Sequence, residues 1–543
     1  MGSPRSFALS TMFVAIMVAC SFAADRAEAQ ALYYRTVPIG ERAVGLGGAF
    51  TGVANDPSAM YYNPAGITEG GRFQLLGSLA SLVFNRRTVD DGFNSPVAEA
   101  DFKSTGTTTL PRFIGTAIKF GRQRFGDHQF AIGFSTLEVE RERFGIGLSE
   151  LDPASTLDLR ISSDYVMRWW GTSFAARVKE NVSLGLSAYV SRQKTSYSED
   201  IGIAVGGMLD DSGLRVGGDA VTSDTGVGVT GWDIVLRLGA LYRINPRWQL
   251  GFMFQLPGIP VGNNGSVFRR TTTTASGQEP TYFLFDEGGL STRSPIPFEL
   301  RTGFEFKVNA LTILSVDAAV SGPVRARGIF ERPEILEDLN GTLGVYFANS
   351  TERRWTPNAA VGAEHMFGRA VVAGGLFTNV SAAPDVPATT TEYTPDQVSM
   401  FGASVSVGID AKGYRLTVGA NGYFGRGDAL ALTIDRDAQV TSYHRTKATM
   451  SAVVLYIAGA ISVASKGAKE VGVKYHKKKS EKENGHPTET EAGAGTDAGT
   501  DAGADTDADT GTDAGADTDA DTGAGAGTGS GTDAGADADA GTP

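Results

Sequence analysis

Few residues in this chain are spaced for covalent chemistry. Its five histidines, at 128, 365, 444, 476 and 486, are scattered without metal-ligand spacing, and its single cysteine is Cys20. No G-x-S-x-G elbow stands between a strand and a helix. The stretch Gly45-x-Gly47-x-x-Phe50 begins like a dinucleotide loop, but the third glycine is missing and no strand precedes it. The expectation is no enzyme, no cofactor and no metal. What remains are charged residues set among apolar ones with a period of two: Arg237, then Glu299, Arg301 and Glu305, then Asp317. They suit noncovalent work, either as a hydrogen-bonded lining of a watery interior or as groups that hold the carboxylate of an amphiphilic ligand.

The segments that carry them read as half-apolar strands. In 232–243, Trp232, Ile234, Leu236, Leu238, Ala240 and Tyr242 share one face, and Asp233, Arg237, Gly239 and Arg243 share the other. In 298–307, Phe298, Leu300, Phe304 and Phe306 oppose Glu299, Arg301, Glu305 and Lys307. Fourteen such segments fall at about 72–84, 110–120, 128–141, 162–178, 181–195, 231–243, 247–257, 297–308, 310–322, 354–367, 370–380, 397–409, 413–425 and 445–461. Each is long enough to cross a bilayer at the usual tilt. Their connections alternate between tight turns and the long stretches 85–109, 142–161, 196–230, 258–296, 323–353, 381–396 and 426–444. That alternation favours a membrane barrel over a soluble sandwich. Aromatic residues near the segment ends, among them Trp169-Trp170, Trp232, Trp248, Trp355, Tyr414 and Tyr456, suit girdles at the two interfaces. The expected fold is all-β: a 14-stranded antiparallel transmembrane β-barrel over 72–463, with both termini periplasmic.

Composition bounds the rest. The formal net charge of −13 comes from the C-terminal tail, since residues 491–543 hold twelve Asp, one Glu and no Lys or Arg. The body is near neutral and gives no argument for nucleic acid. Residues 1–29 read as a secretory signal peptide with the A-x-A site Ala27-Glu28-Ala29; a lipoprotein signal that lipidates Cys20 is the alternative. No apolar run of 18 or more follows it, so the chain has no transmembrane helix signal. After the strands come a basic segment, 464–489, with Lys477-Lys478-Lys479, and a tail, 490–543, of Thr, Asp, Ala and Gly that cannot bury a core.

Ahead of the strands, residues 30–71 are rich in glycine and in Asx-Pro turns, which suits a compact plug. Arg42-Ala43-x-Gly45-x-Gly47-Gly48-Ala49-Phe50, Ala54-Asn55-Asp56-Pro57-Ser58-Ala59 and Tyr62-Asn63-Pro64-Ala65-Gly66 resemble the N-terminal signature of the long-chain fatty acid transporter (FadL/TodX) family of outer-membrane proteins. The resemblance implies a monomeric barrel closed by an N-terminal hatch, with Asn63, Pro64, Ala65 and Gly66 as the hatch turn and Gly45, Gly47 and Gly48 in its glycine-rich part. It implies passive uptake of hydrophobic molecules, long-chain fatty acids or aromatic hydrocarbons, which leave sideways into outer-membrane lipid. In the family the lateral gap lies at a kinked third strand, here 128–141, where Gly133 is the candidate weak point. A structural protein of the same fold that binds or shuttles secreted proteins is the alternative.

Overall fold

The alternating segments form long antiparallel strands. The structure, a computed structural model, describes residues 39–94, 99–109, 113–121, 129–152, 155–206, 208–209, 215–216, 218–332, 346–411, 413–434 and 441–463. The expected leader with Cys20, the basic segment and the acidic tail lie outside these residues. Seventeen strands of eight or more residues follow one another among the described residues. They are β1 (Phe73–Asn94), β2 (Glu99–Thr109), β3 (Phe113–Gly121), β4 (Gln129–Asp152), β5 (Ser155–Lys179), β6 (Val182–Val205), β7 (Asp219–Arg243), β8 (Trp248–Gln255) and β9 (Ile259–Thr274). The series continues with β10 (Thr281–Leu290), β11 (Glu299–Lys307), β12 (Thr312–Ser321), β13 (Thr356–Phe367), β14 (Ala370–Asn379), β15 (Met400–Ala411), β16 (Tyr414–Ile434) and β17 (Thr441–Val463). The sheet closes on itself where β1 pairs with β17, from Phe73↔Val463 to Val89↔Ala448.

The closed barrel has fifteen strands, where the sequence led us to expect fourteen. Strand β2 falls in an expected loop and continues the line of β3 along β1. Its ladder with β1 at Leu82↔Thr109 keeps the register of the β1–β3 ladder at Gly77↔Ile114, so much of the expected loop 85–109 is wall. The expected loops 142–161, 196–230, 258–296 and 426–444 are likewise mostly strand, and β9 with β10 forms a hairpin that continues the wall beyond β8.

Strand β6 shows why the sequence hides these extensions. Its burial alternates residue by residue from Val190 to Ile201. On its outer face Leu184, Leu186 and Val190 are exposed, and beyond them the exposed positions become Arg192, Lys194, Ser196, Ser198 and Asp200. The strand leaves hydrocarbon for water without bending, and past that point polarity no longer marks the faces. The same inversion holds around the barrel. Leu238, Phe304, Leu314 and Val316 are 42–50% exposed, while their strand neighbours Arg237, Glu305 and Asp317 are at most 3% exposed. A soluble protein buries the first set and exposes the second, so the apolar outer band marks a lipid-facing wall.

Two expected girdle aromatics face inward instead. Trp169 and Tyr456 are 2% and 4% exposed. Successive strand residues point to opposite faces, so of the pair Trp169-Trp170 only one side chain can meet lipid.

The chain from Ile39 to Thr68 is nearly all buried, with two short helices, α1 (Glu41–Gly45) and α2 (Ala59–Tyr62), and a 3₁₀ turn over Pro64–Thr68. It packs with inward residues from β3, β4, β5, β6, β7 and β14, and therefore lies within the ring. A second apolar cluster fills the other half of the interior, built from outer strand residues and from loop residues such as Phe330, Tyr346 and Phe347.

If the outer band contacts lipid, Leu186→Arg is expected to cost about 2–4 kcal/mol in urea unfolding of the barrel refolded into vesicles. Ser198→Arg, on the same face beyond the band, is expected to be near neutral.

Candidate functional site

The N-terminal segment carries many backbone groups into an interior that holds few strand edges to pair with them, and wall side chains take that role. Asp317 Oδ2 on β12 accepts from the amides of Phe50 and Thr51 at 3.1 and 2.8 Å. Gln249 on β8 donates to Gly52 O at 2.8 Å, and Ser187 on β6 donates to Met60 O at 2.8 Å. Arg42 forms a bidentate pair with Glu364 on β13 at 2.7 and 2.8 Å, and Glu69 meets both Arg177 on β5 and Arg243 on β7. Glycines facing inward let the backbones meet: a Cβ added at Gly303 would stand 2.7 Å from Gly52 N, and one at Gly239 would stand 2.7 Å from Pro64 Cδ.

The expected turn residues sit at the centre of this network. Asn63 is fully buried and extended, its Oδ1 accepts from Ala65 N at 3.3 Å, and its Nδ2 donates to Thr51 O at 3.1 Å and Ala240 O at 2.9 Å. Pro64 opens the 3₁₀ turn, where its missing amide costs nothing. Gly66 lies against Ala54, where an added Cβ would come 2.6 Å from the Ala54 Cβ. Gly47 and Gly48 have φ of 66° and 86°, conformations that favour glycine, and Gly45 ends α1 beside Ala373 and Ser406.

The charged residues divide into two groups. Arg237 donates to Gln255 at 2.9 and 2.6 Å, to Glu299 at 3.1 Å and to Tyr61 O, and it lies 4.0 Å from the Tyr61 ring and 4.9 Å from that of Trp169. Arg301 pairs with Glu299 and lies over both Tyr61 and Tyr62, with its Nη1 left without a hydrogen bond. Arg237, Glu299 and Arg301 thus form one buried cluster against the N-terminal segment. Glu305 stands apart and lies 3.5 Å from Lys307 on its own strand.

Beside this cluster is a pocket lined by Tyr61, Met167, Trp169, Ile296, Pro297 and Arg237 among others. Its walls are aromatic and apolar with a charged end, a composition typical of sites for small organic ligands. Two further pockets share Arg87, Glu142, Phe144 and Met450.

Gly133 is paired on both sides of β4, with Ala117 and with Ser173, and the space left by its missing side chain faces Met60. The irregularity on that strand is a bulge between Glu138 and Glu140. The β3–β4 ladder ends at Phe113↔Leu137, and farther out no backbone ladder joins β2 to β4 among the described residues. Side chains bridge the seam instead: Ser104 Oγ accepts from Gly145 N at 3.1 Å, and Asn85 donates to Arg143 O at 3.4 Å. One of these two pockets is lined by both Asn85 and Ser104 and by Arg143. The bulge moves the inward residues from odd to even numbers, from Leu137 to Ile146, a shift visible in the sequence only as a lapse in alternation. Gln249, Gln255, Glu364 and the inward glycines also escaped the sequence reading, although parity along their strands marks them.

Burial of Glu41 and the nearby Asp56 raise its carboxyl from 4.5 to about 8. The packed segment therefore holds a proton that the released segment gives up, and its packing weakens as pH rises from about 4.5 through 8. Limited proteolysis of the segment is expected to be faster at pH 9 than at pH 6, and Glu41→Gln to remove most of that difference. Asp317→Ala strands two buried amides and is expected to destabilise the packed segment by about 1–3 kcal/mol, read as lost hydrogen-exchange protection at Phe50 and Thr51.

Neither a protein-family model nor a curated protein matches the sequence. Among solved structures, a FadL homologue of Pseudomonas aeruginosa is similar over 80% of this chain and 100% of that chain, at 16% identity and a TM-score of 0.52. The CymD monoaromatic hydrocarbon channel covers 80% of this chain and 99% of its own at 13% identity, with a TM-score of 0.48. The P. putida toluene transporter TodX covers 79% and 99% at 13% identity, again with a TM-score of 0.48. In fold, the chain resembles the FadL-type outer-membrane barrels.

Proposed function

We propose that this protein carries small hydrophobic molecules passively through a Gram-negative outer membrane, with no covalent step. The observation that carries the reading is the pocket whose floor includes Tyr61 of the N-terminal segment and whose walls include Met167, Trp169 and Ile296. In this reading residues 39–71 are a hatch. A molecule arriving in the lumen meets an apolar pocket closed below by a segment bonded to the wall on many sides, so straight passage requires breaking that network. The Arg237–Glu299–Arg301 cluster serves chiefly to pin the hatch, since Arg237 bonds the Tyr61 carbonyl and both arginines lie over hatch rings.

Entry is lateral, through the seam between β2 and β4, where Gly145 is in register through Ser162 with Ser198 of β6, beyond the apolar band. Backbone pairing is what keeps a barrel wall closed, and here side-chain hydrogen bonds replace it next to a cavity. The bulge at Glu138–Glu140, not Gly133, is the feature that opens the ladder.

The test is to join the seam covalently by Thr105→Cys with Gly145→Cys, both on the outer face, and to follow uptake of labelled toluene and palmitate into cells. Oxidation is expected to lower uptake severalfold and a reductant to restore it. Unchanged uptake through the oxidised, fully bridged protein would remove the lateral route.

A further inference from the structure

A tyrosine-lined pocket narrows the class of molecule this barrel accepts. Its aromatic lining includes Tyr165, Tyr197, Tyr346 and Tyr393. The rings pack in two groups: Tyr346 and Tyr393 have centroids 4.0 Å apart and Tyr393 and Tyr443 5.9 Å, and separately Tyr197 and Phe347 lie 5.2 Å apart. Such a wall favours a flat ring over a flexible alkyl chain, because ring faces and edges match a planar guest without ordering many torsions.

The polar groups of the wall are mostly engaged already. Tyr165 OH donates to Gln193 at 3.0 Å, Tyr197 OH to Glu199 at 2.5 Å, and Tyr346 OH to Leu430 O at 3.1 Å. The charge of Arg87 is matched by Asp396, which it holds in a bidentate pair at 2.6 and 2.7 Å, and its guanidinium lies 4.8 Å from the Phe144 ring. Two lining groups make no hydrogen bond among the described residues: the carboxyl of Glu142 and the hydroxyl of Ser163. With Arg87 and Asp396 cancelling, Glu142 leaves the lining with an acceptor and no surplus cation, which disfavours a carboxylate guest.

We infer that this cavity is a selective site for a hydroxylated arene of the phenol class, with the ring against the tyrosines and the hydroxyl donating to Glu142. A phenolic hydroxyl can also accept from Ser163, so both unengaged groups are met by one substituent. The inference rests on the uptake reading and deepens it.

The test measures binding of p-cresol, toluene and palmitate to the full-length barrel in detergent by calorimetry. Toluene and p-cresol differ only by the hydroxyl. Wild type is expected to bind p-cresol about fivefold tighter than toluene, the usual scale for one hydrogen bond. Glu142→Leu is expected to bring the ratio near one with toluene affinity kept, and Glu142→Gln, which retains an acceptor, to keep part of the preference. Equal affinity for p-cresol and toluene, tightest binding of palmitate, or a ratio that survives Glu142→Leu would overturn the phenol-class assignment while leaving uptake standing. Failure of all three probes to bind would overturn both.

Discussion

The constraint on which the rest of this structure depends is that a backbone group facing hydrocarbon must find its partner within the protein. A closed sheet meets it, and the wall does so from β1 round to β17. Once the wall is closed, the usual arrangement of side chains is reversed. Leu238 and Phe304 stay exposed to lipid, whereas Arg237 and Arg301, each 1% exposed, have to be satisfied inside a narrow space. The lumen thereby becomes the place where polar chemistry concentrates.

The N-terminal segment answers the second half of that constraint. Its own backbone has few regular partners, and the wall has buried polar side chains in need of them. Asp317 and the amides of Phe50 and Thr51, Gln249 and Gly52 O, and Arg237 and Tyr61 O satisfy each other. The arrangement is specific because each pairing needs close backbone approach, which inward glycines such as Gly239 and Gly303 permit. Removing one partner leaves the other buried and unpaired, so the network holds as a unit.

The seam between β2 and β4, beyond the apolar band, is where the ladder is interrupted. A bulge interrupts the register, pairing gives way to contacts through Ser104 and Asn85, and a cavity lies behind them. Side-chain contacts are easier to break than a ladder, since single residues can rotate away while the strands stay in place. The Arg87–Asp396 pair, with Glu142 and Phe144, stands between this cavity and the tyrosine-lined one. The aromatic space and the weak part of the wall are therefore adjacent.

The sequence by itself determined the all-β class, the course of the membrane-crossing segments and the inward set of Arg237, Glu299, Arg301 and Asp317, because alternation with a period of two is a local property and lipid and lumen differ sharply in polarity. It did not reveal β2 or the outer continuations of β4 to β7, because past Val190 on strands such as β6 both faces carry polar residues and the alternation loses its contrast. It placed Trp169 and Trp170 together where the pleat must separate them, and it set the weak point at Gly133, where the ladder is intact on both sides. The pairing of Arg42 with Glu364 and of Arg87 with Asp396 joins residues more than 300 positions apart. Only closure of the barrel brings such residues together, so the tertiary structure alone decided which charges are matched, and that Glu142 is left to face a cavity.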